Sequence, residues 1–119
     1  YTLSLHDALP IWYEEGYYDC SSLVQRLYQE VGISLPAIAS TQGEFMVTHG
    51  LEVTEGELEP GDLIFYSYEQ NGQFRNISHV AIYVGNGRMV HAANSRRGVV
   101  NDPFNPSNIG LYGRPSRLQ

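Results

Sequence analysis

The chain has 119 residues, which is enough for one domain with a modest hydrophobic core. Hydrophobic residues make up 42% of the chain and charged residues 17%, a composition that excludes a disordered protein. The net charge of −6, with seven Lys and Arg residues in all, argues against nucleic acid as a partner. No apolar run approaches the roughly 18 residues that a membrane-spanning helix needs.

The first ten residues, YTLSLHDALP, resemble a translated sequencing adapter. They lack the basic start and the apolar stretch of a secretion signal, so we do not expect them to be one. We expect residues 1–10 to be a non-native or disordered segment. Residues 11–119 are then expected to form the domain, as a fragment of a longer protein.

The first predicted helix covers residues 21–31. Leu23, Leu27 and Val31 recur at intervals of four residues and form one apolar stripe. Asp19 stands where an N-cap residue would accept hydrogen bonds from the first free amides. We therefore expect a helix that packs this stripe against the core.

A second helix is predicted over residues 42–49. Thr41 and Glu44 have the spacing of a capping box, and Gly50 ends the segment. The following residues, 51–59, are rich in glutamate, which indicates a solvated connection rather than a functional site.

Strands are predicted over residues 62–67, 77–84, 88–93 and 109–112. The first of them follows the turn signal Pro60-Gly61, and a polar loop separates it from the second. Helices followed by a run of antiparallel strands predict an α+β fold, with the helices packed on one side of an antiparallel sheet.

The chain has a single cysteine, Cys20, at the start of the first predicted helix. A lone cysteine is most often a small buried apolar residue. Here Asp19, Ser21 and Ser22 make the surroundings polar, which favours a reactive thiol. The helix dipole and a nearby imidazolium would both lower the thiol pKa. A cysteine so placed, with histidines downstream, is the pattern of a nucleophile and its base.

His79 and His91 lie in the two central predicted strands, and each alone could be a structural histidine. Side chains alternate along a strand, so the loop decides whether the two share a face. A two-residue loop at residues 86–87 would place them on opposite faces. A three-residue loop at residues 85–87, a type I turn followed by a bulge, would place them on the same face. The catalytic hypothesis requires the shared face.

A metal site is the alternative use of the same residues. Cys20, His79 and His91 would supply three ligands. None of the pairs has the tight spacing of known zinc motifs, so we rank this hypothesis lower. We expect neither a metal nor another cofactor.

These residues resemble the NlpC-type cell-wall cysteine peptidases, a papain-like family of peptidoglycan hydrolases. The matching stretches are DCS at 19–21 with the helix that follows, LEPGDLIF at 58–65, ISHVAIYVGNG at 77–87 and VHA at 90–92. They occur in the family's order and together span roughly residues 17–115. Several motifs in one order make the resemblance specific.

The resemblance implies a cysteine helix packed on an antiparallel sheet and cleavage of peptide bonds in peptidoglycan stem peptides, beside D-glutamate. By position, Cys20 is the nucleophile, His79 the base and His91 the residue that orients the base. The residues expected to bind substrate are Asp19, Ser21, Ser22 and Ser78. The family often has glycine where this chain has Ser22, which would narrow the cleft.

The resemblance also implies a bacterial protein that is secreted or associated with the cell wall and acts as a monomer on stem peptides. Two other functions stay open at this point. An amidase or acyltransferase would use the same Cys-His pair, and only the pocket would distinguish it. A non-catalytic wall-binding domain would have no need of Cys20, His79 and His91.

Overall fold

The computed structural model describes residues 19–94 and 96–118, so the predictions for residues 1–10 and for a domain start at 11 lie outside the described residues. Its helices are α1 (Cys20–Glu30) and α2 (Ala39–Thr48). Its strands are β1 (Glu52–Val53), β2 (Leu63–Tyr66), β3 (His79–Gly85), β4 (Arg88–Asn94), β5 (Gly98–Pro103) and β6 (Ile109–Gly113). No helix in this described part is long and apolar enough to cross a bilayer.

Helix α1 begins at Cys20 because Asp19 caps it. The Asp19 carboxylate accepts the Ser22 amide at 2.8 Å, and the Asp19 amide donates to the Ser22 hydroxyl at 3.0 Å. This reciprocal pair is a capping box, and it fixes the backbone on both sides of the cysteine. Leu23 and Leu27 are buried as predicted.

Helix α2 begins at Ala39, three residues before the predicted start. The predicted capping box of Thr41 with Glu44 is wrong, because the Thr41 hydroxyl donates back to the Ile38 carbonyl at 2.9 Å. Thr41 therefore lies inside the first turn instead of preceding it. The helix ends at Thr48, followed by Gly50 with a φ of +66°.

The six strands form one antiparallel sheet in the order β1-β6-β2-β3-β4-β5. Both helices pack on one face, where Leu23, Leu27 and Met46 meet strand residues such as Phe65 and Val80. The opposite face carries a smaller cluster, which consists of Val53, Ile64, Tyr66, Ala81, Met89 and Tyr112. The predicted α+β fold, with helices on one side of an antiparallel sheet, is confirmed.

Two strands were not predicted. β1 has only two residues and lies in the stretch that was interpreted as a solvated connection. β5 pairs with β4 along its whole length, but polar residues and a terminal proline interrupt its alternation. Its sequence signal was the pair Val99-Val100 after Gly98, of which Val99 is buried and Gly98 has a φ of +71°.

A buried ion pair fastens one end of the sheet. Asp62, 2% exposed, accepts two N–H groups of Arg114 at 2.8 and 2.9 Å. It also accepts the backbone amide of Glu59 at 2.8 Å, which closes the turn before β2. The aspartate that follows Pro60-Gly61 therefore has a structural role, since it joins this turn to the residue after β6.

Candidate active site

The turn between β3 and β4 consists of two residues. Asn86 and Gly87 have φ values of +54° and +69°, the backbone that Asn-Gly favours in hairpins. The predicted three-residue loop with a type I turn is therefore wrong. On the turn alone, the two histidines would lie on opposite faces.

A bulge in β3 reverses that outcome. The register shifts between Tyr83 and Gly85, so that Ile82 pairs with Val90. Ile82 and Val90 both face the helices. His79 lies three residues before Ile82, and His91 lies one residue after Val90, so each side chain points to the other face. Both therefore point to the face opposite the helices, and the predicted shared face is confirmed.

The two histidines begin a chain of hydrogen bonds that ends on β5. His79 Nε2 lies 2.7 Å from His91 Nδ1, and His91 Nε2 lies 2.8 Å from Asp102 Oδ2. Arg97 donates to Asp102 Oδ2 at 3.0 Å and to its Oδ1 at 2.9 Å. Asp102 pairs with Met89, two residues from His91, which places it diagonally next to the ring. Sequence reasoning missed Asp102 and Arg97 because it did not predict β5.

This chain of contacts bears on the metal hypothesis. Both ring nitrogens of His91 have hydrogen-bond partners, His79 on one side and Asp102 on the other. Within residues 19–94 and 96–118, no three His, Cys, Asp or Glu side chains are grouped so as to hold a metal ion. The described residues therefore offer no donor set for the predicted alternative.

The His79 ring is partly buried next to two tyrosine rings. Its centroid lies 6.0 Å from that of Tyr66 and 6.3 Å from that of Tyr68. Burial lowers the pKa of His79, and the charge of His91 lowers it further, to about 4. At neutral pH the ring is therefore uncharged and has one nitrogen free to accept a proton.

Cys20 lies at the N-terminus of α1, against the start of β3. Burial raises the pKa of its thiol, and the charge of Asp19 raises it further. Hydrogen bonding by the Val80 amide, and by the amides at the helix start, lowers the pKa, but burial outweighs it. The expectation of a lowered thiol pKa is therefore wrong. Among the described residues no hydrogen bond joins the Cys20 sulfur to the His79 ring, and such bonds are often long before substrate binds.

A cleft of about 370 Å³ opens beside the thiol. Its lining residues are Asp19, Cys20, Ser21, Ile38, Ala39, Ser40, Asn71, Gln73, Ile77 and Ser78. Of the residues predicted to bind substrate, Ser22 does not line it, because its hydroxyl is engaged in the Asp19 cap. Asn71 and Gln73 were not predicted, since their loop carried no motif.

Comparison with known proteins identifies the fold family. The family model described as "NlpC/P60 family" matches residues 12–109. A γ-D-glutamyl-L-lysine dipeptidyl-peptidase of Bacillus cereus is 33% identical over 101 residues, which cover 84% of this chain and 28% of the relative. A probable endopeptidase p60 of Listeria monocytogenes is 36% identical over 95 residues, covering 80% of this chain and 17% of the relative. The chain thus spans less than a third of the length of either relative.

Solved structures give the same result. An NlpC/P60 family protein of Bacillus cereus has a TM-score of 0.69 at 29% identity, covering 82% of this chain and 32% of that one. The peptidoglycan hydrolase RipB of Mycobacterium tuberculosis has a TM-score of 0.65 at 31% identity, covering 81% and 44%. RipD of the same organism, a non-catalytic NlpC/p60 domain protein adapted to peptidoglycan binding, has a TM-score of 0.65 at 26% identity, covering 82% and 66%. With a family match over most of its length and this fold, the chain belongs to the NlpC/P60 family.

Proposed function

We propose that this chain is a cysteine endopeptidase domain that hydrolyses peptide bonds in peptidoglycan stem peptides. Cys20 is the nucleophile, His79 the base and His91 the residue that orients the base. The observation that carries the proposal is the 2.7 Å contact between the two histidine rings, at the start of the strand that the cysteine helix meets. A pair of hydrogen-bonded imidazoles, on a strand packed against the helix that begins at a lone thiol, suits nucleophilic catalysis.

The pKa values favour a neutral pair over a preformed thiolate. His79 Nε2 is engaged by His91, so Nδ1 is the nitrogen left to take the thiol proton. As the Cys20 sulfur bonds to the scissile carbonyl carbon, its proton moves to His79. The imidazolium that forms is stabilised through His91, whose other nitrogen contacts the Asp102 carboxylate at 2.8 Å.

The second half of the reaction uses the same proton. As the scissile C–N bond breaks, His79 returns the proton to the leaving amine, and the acyl group stays on Cys20 as a thioester. Water then attacks the thioester while His79 takes a proton from it and passes that proton to the departing sulfur, which releases the carboxylic acid product and the free thiol. Backbone amides at the start of α1 supply hydrogen-bond donors for the oxyanion.

The relatives and the cleft support the proposed substrate. Relatives include a γ-D-glutamyl-L-lysine dipeptidyl-peptidase and the DL-endopeptidase CwlO of Bacillus licheniformis. The cleft combines the neutral polar side chains of Asn71 and Gln73 with one carboxylate, Asp19. We infer that it binds stem peptides and that the bond cleaved lies beside D-glutamate. A domain with this substrate acts outside the cell or in the wall, and we propose that it acts as a monomer.

Two alternatives use the same fold. An amidase or acyltransferase would pass the acyl group of Cys20 to a different acceptor, which product analysis separates from hydrolysis. A wall-binding domain is the other alternative, since RipD is non-catalytic. The complete hydrogen-bonded chain from His79 to Asp102 supports catalysis here, because binding alone does not require it.

The test is digestion of defined muropeptides followed by mass spectrometry of the products. We expect cleavage beside D-glutamate by the wild-type protein and none by Cys20→Ala. His49→Gln is the matched control, because His49 stacks on Phe45 away from the site and its replacement should leave the rate unchanged. Equal turnover by Cys20→Ala and wild type, or products that carry a transferred acyl group, would contradict the proposal.

A further inference from the structure

In the mechanism above, the carboxylate at the end of the hydrogen-bonded chain only helps to stabilise the imidazolium. The side chain of Asp102 is 22% exposed, and that of His91 only 10%. A hydrogen bond from Arg97 lowers the pKa of Asp102 most, and one from His91 lowers it further, to about 2. Asp102 is therefore ionised at any working pH, and an ionised carboxylate can only accept hydrogen bonds.

That property sets the proton positions along the chain. His91 Nε2 must carry a hydrogen, since it lies 2.8 Å from an oxygen that cannot donate. In a neutral His91 ring, Nδ1 is then a lone pair, and it accepts the hydrogen of His79 Nε2 at 2.7 Å. A neutral His79 that is protonated on Nε2 has its lone pair on Nδ1.

We propose that Asp102, held by Arg97, is a positioning residue that fixes both histidines in the Nε2–H form and so makes His79 Nδ1 the base. Its role in hydrolysis rests on the function proposed above, but the proton positions do not. Without Asp102, His91 could carry its hydrogen on Nδ1 instead. That hydrogen would be donated to His79 Nε2 and would force the His79 hydrogen onto Nδ1, where no proton could then be accepted.

Arg97 contributes by fixing the carboxylate. It contacts both oxygens, and its side chain is 49% exposed, so its replacement leaves the core intact. Neither Arg97 nor Asp102 lines the cleft. Their effect should therefore fall on kcat and leave KM unchanged.

The direct test is nitrogen-15 NMR of the histidine rings in the full chain at pH 7.5. Long-range proton–nitrogen spectra distinguish a protonated ring nitrogen from a bare one, and His79→Gln and His91→Gln assign the signals. We expect Nε2–H with a bare Nδ1 for both rings in the wild type. Protonation of His91 on Nδ1 would overturn the proposal.

Variants test the cause. Asp102→Ala should move the His91 and His79 signals toward a mixture of tautomers, and Arg97→Met should move them less, in the same direction. Asn101→Ala is the matched control, because Asn101 is the neighbouring β5 residue and its side chain contacts Arg88 instead of a histidine. If Asp102→Ala does not fold, the shift of the histidine signals in Arg97→Met provides the test. Histidine signals that match the wild type in the folded variants would overturn the proposal.

Kinetics complete the test. Asp102→Ala should lower kcat on muropeptides by about 10- to 100-fold, by analogy with hydrogen-bond partners that orient metal-bound histidines. Its KM should stay at the wild-type value, as should both constants in Asn101→Ala. Loss of kcat without any change of tautomer would overturn the proposal. A wild type that shows the expected tautomers but cleaves no muropeptide would contradict the proposed function alone.

Discussion

At the scale of single residues, burial determines the charge state of the site. Burial raises the pKa of the Cys20 thiol and lowers that of the His79 ring, because it disfavours the charged form of each group. A thiolate–imidazolium pair needs the opposite order of pKa values. The free protein therefore holds a neutral thiol and a neutral imidazole, and in the proposed mechanism the proton moves only when the sulfur attacks.

Alkylation of Cys20 tests this charge state. With the pKa of the thiol raised, the reaction with iodoacetamide at pH 7 should be slower than that of free cysteine, because less thiolate is present. The rate should keep rising above pH 8.5, about the pKa of free cysteine. His79→Gln should leave the curve nearly unchanged. A rate plateau below pH 7 that disappears in His79→Gln would show a preformed ion pair.

The pH profile of hydrolysis follows from the same two groups. In the proposed mechanism His79 must be neutral, and its pKa is about 4, so kcat/KM should fall only as the pH approaches that value. The alkaline limb should lie above the ordinary range of a cysteine, because the pKa of Cys20 is raised. Muropeptide hydrolysis from pH 3.5 to 10 should thus give a broad plateau. A narrow maximum near pH 6 would contradict these assignments.

At the scale of elements, small backbone features place the functional side chains. The capping box of Asp19 and Ser22 starts α1 at the cysteine. The bulge in β3 turns His79 toward the face that also carries His91. The pairing of β5 with β4 adds Asp102 to that face. The capping box decides at which residue α1 begins, and the bulge and the strand pairing decide which side chains share a face.

The ion pair at the end of the sheet is testable at this scale. Asp62→Ala should lower the free energy of unfolding by about 3 kcal/mol, because a mostly buried Arg114 then keeps only one carboxylate, the exposed one of Glu59 at 3.6 Å. Glu52→Ala is the matched control, since its pair with Arg75 is about half exposed and should contribute less than about 1 kcal/mol. Urea denaturation measures both. Equal losses would show that burial does not distinguish the two pairs.

At the scale of the whole molecule, the shifted pKa values of His79 and Asp102 make stability depend on pH. The folded-state pKa of His79 is about 4 against an ordinary 6.5, so the unfolded chain binds the extra proton first. Stability is therefore full above about pH 6.5 and falls as the pH drops toward 4. Below that, Asp102 adds a further loss as the pH falls from 3.8 toward its folded pKa of about 2.

Urea denaturation at pH 7 and pH 4 measures the first of these effects. The wild type should lose on the order of 2 kcal/mol more than His79→Gln over this interval, once the partial exposure of the ring is taken into account. The comparison removes the contributions of the other carboxylates, which the two proteins share. An equal loss in both proteins would show that His79 titrates normally in the folded state.

The sequence by itself determined the order of the two helices and of β2, β3, β4 and β6, the α+β class and the family resemblance. Those rest on local signals: the apolar stripe of α1, the Pro60-Gly61 turn and the motifs around Cys20, His79 and His91. Such signals lie within a few residues of one another, so the chain alone displays them. The family model and the fold confirm the outcome.

Only the tertiary structure decided the chemistry of the site. The thiol pKa was predicted with the wrong sign, because burial depends on what packs around Cys20 and not on its neighbours in sequence. The loop of the central hairpin was predicted wrongly, and a bulge compensated for it. Asp102 and Arg97 were missed, because the pairing of β5 with β4 joins residues through hydrogen bonds that no local pattern specifies.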